Sequence, residues 1–183
     1  MFLNFLINYI DKLTLSNELK KYSNLTKIHL LNNNKVMDEN IYQLTNLVSV
    51  NISNNYRITD SGFKNLTNLT SLYLKGTKIS DNYLTNLINL KTLMIGKNNC
   101  YITDNGLKKL ASYNNLIELF IRNNNITNGG IKEFYNLKKL NIKLNFNIDD
   151  DGIKNLTNLT ELGINRLVSK EGIKNLKLLT NIY

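Results

Sequence analysis

The chain has 183 residues, 42% of them apolar, and a formal net charge of +9. That is enough apolar material for one domain with a buried core, which excludes a disordered polycation. One cysteine, Cys100, excludes an internal disulfide and fits a reducing compartment, and abundant Asn, Ile, Lys and Tyr without Pro or Trp is the composition of an AT-rich genome.

The opening stretch MFLNFLINYIDKL is apolar, yet it has no basic n-region and no small-residue cleavage site, and its first charge is Asp11. It reads as a short helix closing the first open end of a core. Residues 1–24 are therefore assigned to a capping helix and to the helical half of an opening unit, LTLSNELKKY. No run approaches 18 uninterrupted apolar residues, so no membrane helix is expected, and the cytoplasm of the cell or of a host is the expected location.

From Leu25 to the end the sequence repeats. The leucine of an "NL" pair recurs at Leu25, Leu47, Leu69, Leu90, Leu116, Leu137 and Leu159, and Leu179 of an "LL" pair continues the register, at intervals of 22, 22, 21, 26, 21, 22 and 20 residues. Three and five residues after each anchor stand apolar residues such as Val50/Ile52, Leu72/Leu74 and Leu119/Ile121. Alternation over so short a run predicts a strand with one buried face. Eight residues past the anchor stand Asn33, Asn55, Asn98, Asn124 and Asn145, with Thr77 and Leu167 in the same register. An inward asparagine both donates and accepts, so stacked copies can satisfy the backbone of a tight turn.

Each unit then continues as ITDSGFKNL, ISDNYLTNL, ITDNGLKKL, ITNGGIKEF, IDDDGIKNL or VSKEGIKNL. Thr59, Ser80, Thr103, Thr127 and Ser169 are expected N-caps of short helices, followed in most units by an acidic residue that suits the helix dipole. One unit cannot bury its own apolar face, so the units must stack. Seven glycosylation triplets, starting at Asn24, Asn51, Asn65, Asn68, Asn125, Asn155 and Asn158, fall on this repeat register and are explained by it.

The LxxLxLxxN pattern resembles the leucine-rich repeat superfamily across 25–183, about seven repeats and a truncated last strand. The ITDxGLKxL half is similar to the repeats that follow the F-box in ubiquitin-ligase substrate adaptors, and the LTNLxxL rhythm to internalin-like repeats. The resemblance implies an α/β solenoid, with a parallel sheet on its concave face and short helices on its convex face, used to bind proteins. About 24 residues precede the first full repeat, too few for an F-box, so ubiquitin ligation would need a separate subunit. A secreted or surface adhesin is the reading from another class.

Catalysis, cofactor and metal are not expected. His29 is the one histidine and alternates with Ile28 and Leu30 on an exposed strand face, while Cys100 lies in a turn. NFNIDDDG mimics a calcium loop through Asn147, Asp149, Asp151 and Gly152, but its twelfth position is Asn158 in place of the bidentate Glu.

The informative surface is the sheet face. Four residues past the anchors the column reads His29, Asn51, Tyr73, Met94, Phe120, Asn141, Gly163. Tyr73, Met94 and Phe120 would form a stripe about 10 Å long. The column six past the anchors puts Lys75, Arg122 and Lys143 beside it, the composition of a protein-binding centre with a basic rim. Specific nucleic-acid binding is not expected, since no recognised module accompanies the charge, and a nonspecific nucleic-acid binder stands as a further alternative function. The chain ends within an eighth strand, LLTNIY, whose uncapped edge is open to three readings: a homodimer through that end, a shortened paralogue of a repeat family, or a tolerated frayed last turn.

Overall fold

The computed structural model describes residues 21–32, 35–96, 101–122 and 125–183. The expected capping helix, Asn33, Asn98, Cys100 and Asn124 lie outside them. Strands β1 (Lys27–His29), β2 (Ser49–Asn51), β3 (Ser71–Leu74), β4 (Thr92–Ile95), β5 (Glu118–Ile121), β6 (Lys139–Asn141), β7 (Glu161–Gly163) and β8 (Asn181–Ile182) pair in chain order as one parallel sheet. The register follows the anchors, with Val50 opposite Leu72, Leu72 opposite Leu93, and Leu93 opposite Leu119. These residues point inward and are buried in one continuous core that runs from Ile28 to Leu176.

Seven helices close the units among the described residues: α1 (Asp38–Ile41), α2 (Asp60–Phe63), α3 (Asp81–Leu84), α4 (Asp104–Tyr113), α5 (Asn128–Ile131), α6 (Asp150–Ile153) and α7 (Lys170–Ile173). All have four residues except α4, whose ten residues take up much of the long 26-residue interval. It stops where Asn114 turns left-handed at φ 55°, a conformation asparagine tolerates. The expected caps form: Thr59, Ser80, Thr103, Thr127 and Ser169 each accept an N–H two residues on, and Asp149 does so for α6.

Three side-chain ladders tie neighbouring units together. In the first, Asn55 donates to the carbonyls of Leu30 and Ile52, and Asn145 donates to Ile126 at 2.9 Å. In the seventh repeat the sequence register needs correcting. Leu167 is exposed, while Asn165, six past Leu159 in the solvent-facing column with Lys75, Arg122 and Lys143, is buried and donates to Ile148 at 2.8 Å. The unit is short between strand and turn, and the turn keeps its distance from the N-cap: Asn55, Asn145 and Asn165 each stand four residues before Thr59, Asp149 and Ser169.

The second ladder uses the asparagine just before an anchor leucine. Asn46, Asn68, Asn115, Asn136 and Asn158 donate to the carbonyls of Ser23, Thr45, Ile88, Asn114 and Tyr135 in the preceding unit. Two of the glycosylation triplets, at Asn68 and Asn158, thus start at rungs of this ladder.

The third ladder runs along the helix starts. The first-turn carboxylates of Asp38, Asp60, Asp81, Asp104 and Asp150 accept from both the N–H and the hydroxyl of Thr59, Ser80, Thr103, Thr127 and Ser169 in the next unit. A residue read from sequence as a helix-dipole partner is therefore also a clasp between repeats. The glycine of the next helix makes room for it, since a Cβ at Gly130 would stand 2.4 Å from Asp104 Oδ1.

Candidate functional site

The solvent side of the sheet carries the residues that alternate with the core. Strand pairing sets Asn51 opposite Tyr73, Tyr73 opposite Met94, Met94 opposite Phe120, Phe120 opposite Asn141, and Asn141 opposite Gly163. Tyr73, Met94 and Phe120 are thus immediate neighbours across three strands, each half-buried by the side chains around it. His29 is exposed on β1 and is separated from the stripe by Asn51 on β2.

The flanks of the stripe differ. On one side Lys139 lies between Glu118 and Glu161, with Nζ–O distances of 3.7 and 3.0 Å, and the Thr92 hydroxyl donates to Glu118 at 3.4 Å. The hydrogen bond to Glu161, and then the charges of both glutamates, raise the Lys139 pKa above the usual lysine range. On the other side, the stem of Lys75 crosses Gly96 so closely that a Cβ there would meet Lys75 Cβ at 2.4 Å. Gly96 therefore makes room for the Lys75 stem beside Met94 and is itself buried. The remaining predicted cation, Lys143, stands over the Tyr183 ring at 4.4 Å.

The calcium-loop resemblance has a different basis in the fold. Asp149 caps α6 and accepts from Asn128 at 2.7 Å, while Asp151 pairs with Lys154 at 2.6 Å. Among the described residues no three His, Cys, Asp or Glu side chains are grouped to hold a metal ion. No helix among them is long and apolar enough to cross a membrane.

Sequence reasoning missed that six of the thirteen exposed large apolar side chains among the described residues gather on one kind of segment. Leu31, Tyr56, Tyr101, Leu144, Phe146 and Leu167, exposed by 42 to 57%, all stand on segments leading from a strand to the next helix. The signal was present as the interruptions of the asparagine-rich turns, but a count from the strand anchor places them at no single position.

No protein-family model matches the chain, and no curated protein matches it in sequence. Solved structures do. The chain is similar to an internalin (inlF) of Listeria monocytogenes, with 27% identity, a TM-score of 0.72, and coverage of 96% of this chain and 57% of that one. A second, internalin C2 of the same species, gives 26% identity and a TM-score of 0.70, covering 92% of this chain and 81% of that one. The ectodomain of the Arabidopsis receptor kinase HAESA, solved with a peptide hormone, shares the fold at 19% identity and a TM-score of 0.54, over 80% of this chain and 27% of that one. TLR13, solved with a single-stranded RNA, shares it at 18% identity and a TM-score of 0.66, over 94% of this chain and 26% of that one.

Proposed function

Because the chain is a leucine-rich repeat protein, we propose that it is a non-catalytic module that binds a partner protein on the concave face of its sheet. The observation that carries this reading is the in-register adjacency of Tyr73, Met94 and Phe120 on β3, β4 and β5. Apolar residues clustered at the centre of a patch are the kind that dominate binding energy, and polar neighbours exclude water around them. Here the neighbours are Ser71 and Thr92 on one side, and Arg122 and Lys75, whose stem covers Gly96, on the other. The self-paired Glu118–Lys139–Glu161 row contributes shape more than net charge.

The peptide and the RNA seen with HAESA and TLR13 belong to those proteins, and at such identity they lend this chain a fold and no ligand. The direct test is affinity capture from lysate of the source cell, comparing the natural protein with Tyr73→Ala/Phe120→Ala after circular dichroism shows that both fold. A partner retained by the first and lost by the second supports the reading. Equal retention refutes the location.

A further inference from the structure

The segments that lead from each strand to the following helix span 31–36, 53–58, 75–79, 96–102, 122–126, 143–148 and 165–168. Their described residues hold seven of the chain's 23 basic residues and none of its 14 acidic ones. The same segments hold the six exposed apolar side chains described above. Charge and apolar surface therefore coincide on one edge of the solenoid. The nearest acids stand at the helix starts and are partnered there: Asp104 and Asp150 accept from the N–H and O–H of Thr127 and Ser169, Asp149 accepts from Asn128, and Asp151 pairs with Lys154.

The edge is continuous from unit to unit. Asn54 donates to Asn32 at 2.6 Å, Thr59 bridges to Lys78, Ser80 bridges to Tyr101, and the Arg166 guanidinium lies 5.4 Å from the Phe146 ring centre. With neighbouring units about 5 Å apart, Lys75, Arg122, Lys143 and Arg166 form a row about 20 Å long, the reach of some six residues of extended chain. An extended peptide places alternate side chains on one side, so carboxylates can meet this row while the intervening side chains pack among Leu144, Phe146 and Leu167.

We propose that this strand-to-helix edge binds an acidic segment of a partner protein in which acidic and large apolar residues alternate. A protein segment fits better than nucleic acid. Around Lys143 and Arg166, Leu144 and Leu167 have no ring on which a base can stack, the rings of Phe146 and Tyr183 already carry Arg166 and Lys143, and the exposed rings of Tyr56 and Tyr101 stand in earlier units outside that cluster. The surface is separate from the Tyr73–Met94–Phe120 stripe, although Lys75, Arg122 and Lys143 border both.

The test is fluorescence anisotropy with a labelled decapeptide alternating Glu with Leu or Phe, beside decaglutamate and a 15-nucleotide oligo(dT), at low and at moderate salt. The proteins are the natural chain, the edge variant Leu144→Ser/Arg166→Glu, and the stripe variant Tyr73→Ala/Phe120→Ala. The expected result is that the alternating peptide binds more tightly than decaglutamate, and that the edge variant weakens it by at least about tenfold. The stripe variant should bind it as the natural chain does, which separates this inference from the proposed function. Failure of the alternating peptide to bind, equal binding by natural chain and edge variant, or loss with the stripe variant alone would overturn it. Tighter binding of oligo(dT), lost in the edge variant, would overturn it in favour of a single-strand site.

Discussion

The carboxylate of Asp81 reaches one repeat forward and takes both the backbone N–H of Thr103, at 2.8 Å, and its hydroxyl, at 2.6 Å. Thr103 in turn caps α4 by accepting from Asn105 at 3.2 Å, so one carboxylate fixes the start of the next helix. Gly106 lies over this clasp, where a Cβ would come 2.3 Å from Asp81 Oδ1.

Two opposed effects decide what Gly106→Ala does. Alanine in a helix gains up to about 1 kcal/mol over glycine. Overlap with a fixed carboxylate costs about 1 to 3 kcal/mol. The overlap should win, and urea unfolding should show a net loss of stability. In Asp81→Ala/Gly106→Ala the obstruction is gone, so its loss should be smaller than the sum of the single losses. Simple additivity in that cycle would show that the carboxylate does not require the glycine.

One rung of the ladder has its chemistry exchanged. Asn128 stands where other units have Asp, and Asp149 where they have Ser or Thr. The Asn128 amide donates to Asp149 at 2.7 Å and its carbonyl accepts the Asp149 N–H at 3.0 Å. Restoring the common residue with Asn128→Asp would set two carboxylates face to face. A loss of about 1 to 3 kcal/mol is expected at neutral pH from the unpaired acceptors and like charges. The loss should shrink as pH falls and one carboxyl takes a proton. Asn128→Asp/Asp149→Thr should recover most of it, and no recovery in chemical denaturation would show that the exchange is not a matched pair.

The Asp150–Ser169 rung gives a pH dependence. Hydrogen bonds from the Ser169 hydroxyl and N–H hold the Asp150 carboxyl below the usual carboxylate range. A carboxyl lowered in the folded state contributes stability above its unfolded pKa of about 3.9, and that contribution disappears as pH falls through the folded value. In Ser169→Ala the carboxyl's NMR titration midpoint should move up toward the ordinary range. An unmoved midpoint would mean that the hydroxyl is not the cause.

Much of this architecture was legible because the strand anchors are a strict pattern. Leu72 and Leu74 alternate with Ser71 and Tyr73, and a one-residue slip in pairing would have turned the core outward. The row Tyr73, Met94, Phe120 follows from that register alone. What the pattern could not give was anything that depends on two units at once. Asp81 looks like a good first-turn residue in isolation, and its bond to Thr103 exists only because stacking brings a helix start alongside the next. Asn165 escaped for a related reason, since its turn is placed by the following cap at Ser169 while the register was counted from Leu159. The exposed apolar edge was hidden by the same variation in segment length.

Tyr83 occupies the place that Gly62, Gly106, Gly130, Gly152 and Gly172 hold in other helices, and there the column is filled instead of emptied. Its ring is buried edge-on against Phe63 with centres 5.1 Å apart, and its hydroxyl donates to the Leu66 carbonyl at 3.0 Å. Burial, with the nearby charge of Asp60 second, pushes the phenol pKa far above its ordinary value. The neutral form is thus favoured by folding, so this contribution is complete below the unfolded pKa of about 10 and is lost as pH rises above it. Tyr83→Gly would match the column but leave a cavity, at a cost of about 3 to 5 kcal/mol. Tyr83→Phe keeps the ring and strands one carbonyl, at about 1 to 3 kcal/mol. Thermal melts between neutral pH and about pH 11 should show the natural chain losing stability above pH 10 more steeply than Tyr83→Phe. Parallel curves for the two would assign the alkaline loss to other groups.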